Sequence, residues 1–71
     1  MFPDESLGWD DTYGLVQSLR RYHPEVKFEE LSLGTLFEWI VAMPEFNDDP
    51  SLANDEMLIQ IFSAWYEEVN T

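Results

Sequence analysis

Apolar residues recur at helical spacing in three segments of this chain, and each segment follows a residue that favours a helix start. In the first segment the apolar stripe consists of Leu15, Val16, Leu19 and Tyr22, and the polar side of Gln17, Ser18 and Arg21. This spacing predicts an amphipathic helix. We expect Asp10 to be its N-cap, Asp11 to lie in its first turn, and Pro24 to stop it.

The second predicted helix is shorter. Leu31-Ser32-Leu33 alternates and predicts at most a very short strand, which Gly34 ends. Thr35 and Glu38 then have the spacing of a capping box, with Thr35 as the N-cap. The apolar stripe continues through Leu36, Trp39, Ile40 and Met43. We expect this helix to end at Pro44.

The third predicted helix is the most apolar. Asn54 is a suitable N-cap, and Asp55 and Glu56 would lie in the first turn, where the helix dipole favours negative charge. The inner face is predicted to hold Leu58, Ile61, Phe62, Trp65 and Val69, widened by Ile59, Ala64 and Tyr66. We therefore expect this helix to be central and to be contacted on more than one side.

The composition indicates one small folded domain. Of the 71 residues, 45% are hydrophobic and 15% aromatic, whereas highly charged disordered chains are poor in such residues. We expect a flexible tail over residues 1–8 and a single, mostly α, three-helix domain over residues 9–71. Trp9, Trp39 and Trp65 are predicted to contribute much of its core.

The charge balance restricts the class of partner. Fifteen acidic and three basic residues give a net charge of -12, which argues against binding nucleic acid or an anionic membrane. From Phe28 to Thr71 there are ten carboxylates and no Lys or Arg, and all three basic residues (Arg20, Arg21 and Lys27) lie in one short stretch. Such a surface either keeps a small protein soluble or binds a basic partner or a hard cation.

One segment helps to decide between solubility and binding, namely Glu45-Phe46-Asn47-Asp48-Asp49-Pro50. It places three carboxylates and an amide around one turn, just before Asp55 and Glu56. Oxygen ligands suit calcium, magnesium, manganese and iron, although the spacing is not that of an EF-hand. The alternative is turn chemistry, in which the Asn and Asp side chains accept hydrogen bonds from nearby backbone amides.

Catalysis and membrane insertion have little support in the sequence. The chain has no cysteine, isolated glycines and one histidine, His23, which a helix C-terminus explains. The N-terminus lacks the pattern of a signal peptide, and the longest apolar stretch, residues 39–43, is too short to span a bilayer. We therefore expect a cytoplasmic protein that is not an enzyme.

A set of residues from Leu7 to about Glu68 forms a pattern that covers nearly the whole chain. In the first half its members are Leu7-x-Trp9, Asp11, Leu19, Pro24 and Trp39-Ile40. In the second half they are Phe46-Asn47-Asp48-Asp49-Pro50, Asn54-x-Glu56, Leu58, Ile61, Trp65 and Glu68. This pattern resembles the IscX-type iron–sulphur cluster assembly proteins. The family loop usually has an Asp where this chain has Asn47, which removes one charge.

The resemblance implies a modified winged-helix domain that regulates iron–sulphur cluster assembly. Such proteins bind a basic surface of cysteine desulfurase that frataxin and ferredoxin also use, and they bind iron weakly through surface carboxylates. The pyridoxal phosphate belongs to the desulfurase.

We therefore expect a monomeric acidic adaptor. The predicted weak iron ligands are Glu45, Asp48, Asp49, Asp55 and Glu56, and the predicted docking residues are the same five together with Asp10 and Asp11. The alternative is an acidic interaction module for another basic protein, with no metal role. A winged-helix protein that binds nucleic acid is disfavoured by the charge.

Overall fold

Three α-helices make up most of the domain. The computed structural model describes residues 7–70. Helix α1 spans Thr12–Tyr22, α2 spans Leu33–Ala42 and α3 spans Asp55–Val69, with single 3₁₀ turns at Phe28–Glu30 and Pro50–Leu52. Over the described range the only β pairing is an isolated parallel bridge between Leu7 and Phe46. The predicted three-helix class with at most a very short strand is confirmed, while the winged-helix detail stays a prediction.

A capping side chain fixes the start of each α-helix. The caps Asp11, Ser32 and Asn54 accept hydrogen bonds from the backbone N–H groups of Gly14, Thr35 and Met57, at 3.1, 3.1 and 2.8 Å. Each bond satisfies a donor that has no partner inside the helix. Asn54, with Asp55 and Glu56 in the first turn of α3, is as predicted.

The predicted start of α1 is wrong by one residue. The segment from Gly8 to Asp11 forms a turn in which the Asp11 N–H donates to the Gly8 carbonyl at 3.1 Å. This turn directs Trp9 into the core, where it is only 4% exposed. The cap is therefore Asp11, and Asp10 lies exposed in the turn before it.

The predicted start of α2 is also wrong. Ser32 is the N-cap in place of Thr35, and Gly34 lies inside the first helical turn. Gly34 does not break the helix, and its φ is not positive, as for every glycine in residues 7–70. Leu31 and Ser32 are extended, but Leu33 is already helical, so the strand predicted over these residues is absent.

The core lies where α3 packs against both α1 and α2, which confirms the central position predicted for α3. Its buried apolar members are Trp9, Leu15, Val16, Leu19, Leu36, Ile40, Met43, Leu58, Ile61 and Trp65. Ser18 is also buried, contrary to its predicted polar face, because it lies one turn from Leu15 on the same side of α1.

The apolar face of α3 is narrower than predicted. Ile59, Tyr66 and Val69 are each about half exposed, and so is Tyr22 of α1. Only the row that contains Leu58, Ile61 and Trp65 is fully buried, while Met57, Phe62 and Ala64 are partly buried against the core. Ile59, Tyr66 and Val69 form part of the molecular surface.

Candidate functional site

The acidic loop, residues 45–56, is fastened to the start of the described chain. The Leu7 N–H donates to the Glu45 carbonyl, and the Asn47 N–H donates to the Leu7 carbonyl, both at 2.9 Å. Residues 1–6 of the predicted flexible tail lie outside the described residues, whereas Leu7 forms this bridge. The bridge brings the turn at residues 8–11 against the acidic loop.

Asp48 joins the loop to Trp9. Its carboxylate accepts the Trp9 backbone N–H at 3.0 Å and the Asp49 N–H at 2.7 Å. The Trp9 indole N–H in turn donates to the Asp49 carbonyl at 2.8 Å. The Trp9 ring meets Phe46 edge-on, with 4.8 Å between ring centroids. Asp48 therefore has a structural role as well as a surface charge.

Two carboxylates converge over Gly8. A Cβ atom at this position would lie 2.9 Å from Asp48 Oδ2 and 3.3 Å from Asp10 Oδ1. Glycine leaves the space that these oxygens occupy. That both carboxylates lie near Gly8 was not apparent from the sequence, because nearly forty residues separate Asp10 from Asp48.

Asp49 shapes the end of the loop. Its carboxylate accepts hydrogen bonds from the Ser51 N–H at 3.0 Å and the Ser51 hydroxyl at 2.9 Å, and these bonds lower the pKa of Asp49. Asp49 also caps the 3₁₀ turn Pro50–Leu52. The turn chemistry considered for this loop is thus present at both Asp48 and Asp49.

Glu45 is held by two residues at the end of α1, Tyr22 and Arg21. The Tyr22 hydroxyl donates to its carboxylate at 3.1 and 3.2 Å, and Arg21 Nη1 lies 3.8 Å away. The hydrogen bond to Glu45 is the main reason that the pKa of Tyr22 is raised. Neither tie was predicted, since the sequence placed Tyr22 in the apolar stripe.

The remaining predicted docking residues differ in their surroundings. Asp11 is occupied as the α1 cap. Asp55 and Glu56 are exposed in the first turn of α3. Within residues 7–70, neither Asp55, Glu56 nor Asp10 forms a hydrogen bond or an ion pair, so these three carboxylates are available to a partner.

The predicted metal ligands are not gathered into one site. Across the described chain, no three carboxylate or imidazole groups lie close enough together to hold a metal ion. Two of the predicted ligands, Asp48 and Glu45, are hydrogen-bonded to Trp9 and Tyr22. Iron binding therefore stays a prediction, and it would involve an open surface with water completing the coordination.

The basic residues lie away from the acidic loop, apart from the contact at Glu45. Arg20 pairs with Glu68 at 3.2 Å and Arg21 with Glu45 at 3.8 Å. Asp10, Asp48, Asp49, Asp55 and Glu56 have no cationic neighbour in residues 7–70. The exposed edge of the loop is therefore uniformly negative.

His23 is the C-cap of α1, as its position before Pro24 predicted. Its backbone N–H donates to the Leu19 carbonyl at 2.8 Å. The imidazole also stacks on Trp39, with 3.7 Å between ring centroids and 7° between planes. Partial burial lowers the pKa of His23. This packing explains the residue without a catalytic role.

The sequence of the chain matches known proteins over most of its length. A family model described as iron–sulphur cluster assembly matches residues 7–70. The chain is similar to an uncharacterized protein of Pseudomonas aeruginosa, with 36% identity over 63 residues, which cover 89% of this chain and 96% of the relative. None of the described helices is long and apolar enough to cross a membrane.

Proposed function

Because the chain belongs to the iron–sulphur cluster assembly family, we propose that it serves this process as a non-catalytic acidic adaptor of cysteine desulfurase. Its role in iron–sulphur cluster assembly follows from the family. The desulfurase as partner comes from the resemblance of the loop and of the last helix. We place this activity in the cytoplasm, with frataxin and ferredoxin as competitors for the same basic surface.

The observation that carries the proposal is a set of carboxylates without a partner, two at the end of the acidic loop and one in the turn that contacts it. Asp10, Asp55 and Glu56 are exposed and form no hydrogen bond or ion pair within the described range. Such charges raise the rate of encounter with a basic surface more than they stabilise the fold. They are therefore suited to docking on a partner.

The contacts of the loop decide which residues test the proposal. Reversing Asp48 and Asp49 to Lys is expected to slow association, but Asp48 also holds Trp9 in place. A cleaner variant combines Asp10→Asn, Asp55→Asn and Glu56→Gln. A matched control removes three exposed carboxylates elsewhere, by Glu25→Gln, Glu30→Gln and Glu38→Gln.

The test is a binding titration with purified cysteine desulfurase, followed by competition with frataxin. We expect the loop variant to bind at least ten-fold more weakly than the control variant, and frataxin to displace the unmodified chain. If both variants lose the same affinity, total charge determines binding and the position of the carboxylates does not. If the unmodified chain does not bind the desulfurase, the alternative of another basic partner takes its place.

Iron is proposed as a weakly held ion on the same surface. Support comes from the family resemblance and from the oxygen-only side chains of Glu45, Asp48, Asp49, Asp55 and Glu56. Iron added to labelled protein should broaden NMR signals of residues 45–56, while a chelator leaves the melting temperature unchanged. Broadening centred elsewhere would refute the assigned ligands.

A further inference from the structure

A second surface with its own chemistry lies on the outer side of α3. An open groove of about 450 Å³ is lined by this helix and by the 3₁₀ turn at Phe28–Glu30, which contact each other through Phe28. Its lining residues are Phe28, Glu29, Phe62, Ser63, Tyr66 and Glu67. None of them belongs to the acidic loop.

The spacing of residues on α3 builds one wall of this groove. Phe62 and Tyr66 are four residues apart, as are Ser63 and Glu67, so an aromatic row runs beside a polar row. Tyr66 is 49% exposed. The Tyr66 ring is therefore accessible, whereas Phe62 is partly buried against the core.

Phe28 completes an aromatic corner. Its ring meets Phe62 at 5.5 Å and 74°, and Tyr66 at 5.3 Å and 85°, between ring centroids and planes. Ring faces carry the negative end of the aromatic quadrupole and attract cations within about 6 Å of the centroid. A corner of nearly perpendicular rings offers a cation a face to stack on and an apolar wall beside it.

The rim of the groove has only negative charge. Glu29 and Glu67 are exposed, and within residues 7–70 neither carboxylate has a hydrogen-bond or ion-pair partner. No basic residue lines the groove. An anionic ligand would be repelled, and a neutral apolar ligand would leave both carboxylates unused.

We propose that this groove receives an arginine side chain from a basic protein partner. A guanidinium group is planar and weakly hydrated, stacks on aromatic rings, and donates two parallel hydrogen bonds to a carboxylate. The aromatic corner supplies the stacking surface, and Glu29 or Glu67 supplies the acceptor. A lysine ammonium is more strongly hydrated and lacks the planar fork, so it fits this combination less well.

This surface is argued from the groove alone and does not require the desulfurase to be the partner. It is tested on the isolated chain by ¹H–¹⁵N NMR titration with the peptide acetyl-Gly-Arg-Gly-amide. The control peptides replace Arg by Lys, which keeps the charge, or by citrulline, which keeps the shape without the charge. The protein variants are Tyr66→Ala and Glu67→Gln, with Ile59→Ala as an exposed α3 control outside the groove.

The arginine peptide should bind in the millimolar range and shift signals of residues 28–29 and 62–67. Binding should be several-fold weaker for the lysine peptide and weakest for the citrulline peptide. Tyr66→Ala and Glu67→Gln should each weaken binding at least three-fold, and Ile59→Ala should not. Circular dichroism of each variant confirms that the helices are intact, and Glu67→Gln remains informative if Tyr66→Ala does not fold.

Three results would overturn the proposal. Equal binding of the citrulline peptide would make the groove a site for apolar segments. Shifts centred on residues 45–56 would show attraction to the most negative surface without a groove. The absence of any shift at millimolar arginine peptide would show that the corner is not a binding site.

Discussion

Replacing Asp48 with alanine removes the carboxylate that ties the acidic loop to the core. The Trp9 N–H loses its acceptor at 3.0 Å, and the Asp49 N–H loses one at 2.7 Å. Trp9 is almost fully buried. Its N–H therefore has little access to water as a replacement acceptor.

The two bonds contribute unequally to stability. A hydrogen bond to a charged group is worth roughly 1.5–3 kcal/mol. Asp48 itself is exposed, so the lower end applies to the bond from Trp9. The bond from Asp49 is local and exposed, and water replaces it at little cost. We expect Asp48→Ala to lower the free energy of unfolding by about 2 kcal/mol, out of roughly 4–11 kcal/mol for a domain of this size.

The assay is urea unfolding followed by tryptophan fluorescence, with thermal unfolding as a second measure. A loss of about 2 kcal/mol should lower the melting temperature by roughly 10 °C. Asp10→Ala is the matched control, because it removes the same charge from the neighbouring turn without removing a hydrogen bond in residues 7–70. It should change stability by less than about 0.5 kcal/mol. Equal stability of the two variants would refute the structural role of Asp48.

Three further changes test the capping and loop geometry. Gly34→Ala should stabilise the fold by about 0.5 kcal/mol in urea unfolding, because alanine is the better helix former and its Cβ would meet only Ser32 Oγ at 3.9 Å, an ordinary contact. Gly14→Ala should destabilise it, since its Cβ would lie 2.8 Å from the Asp11 carboxylate that caps α1. Asp49, measured by ¹³C NMR, should titrate below 3.8, and Ser51→Ala should raise that pKa. The stabilising effect of ionised Asp49 is present above the unfolded pKa and is lost as pH falls through the lowered folded value. Ser51→Ala keeps the backbone N–H bond, which is the larger cause, so the rise should be partial. An unchanged pKa would show that the hydroxyl bond has no effect, and an Asp49 pKa that is not lowered in the unmodified chain would refute both causes.

The helices were predictable because their information is local. Apolar spacing identified all three, and Asn54 was correctly predicted as the cap of α3. Asp10 and Thr35 were chosen wrongly because Asp11 and Ser32 are equally competent caps. The choice between neighbours depends on how Trp9 and Leu33 pack, which the local sequence does not contain.

The hydrogen bonds that hold the acidic loop could not be predicted, because they join residues far apart in the chain. Trp9 and Asp48 are 39 residues apart, and Tyr22 and Glu45 are 23 apart. Helical periodicity carries no information on such pairs, since they arise only when the helices pack. The sequence therefore located the acidic segment, but it could not separate the carboxylates that hold the loop in place from those that form no hydrogen bond or ion pair in residues 7–70.

The rate of association with cysteine desulfurase, measured by stopped-flow fluorescence over a range of salt concentrations, tests the adaptor proposal most directly. Electrostatic steering predicts a rate that falls at least ten-fold from low to high salt, because exposed charges are screened beyond about 8–10 Å at physiological ionic strength. The variant lacking the charges of Asp10, Asp55 and Glu56 should associate more slowly at low salt. Its association rate should also lose most of the salt dependence. A rate that is the same at low and high salt, or equal in this variant and the unmodified chain, would contradict docking through the acidic loop.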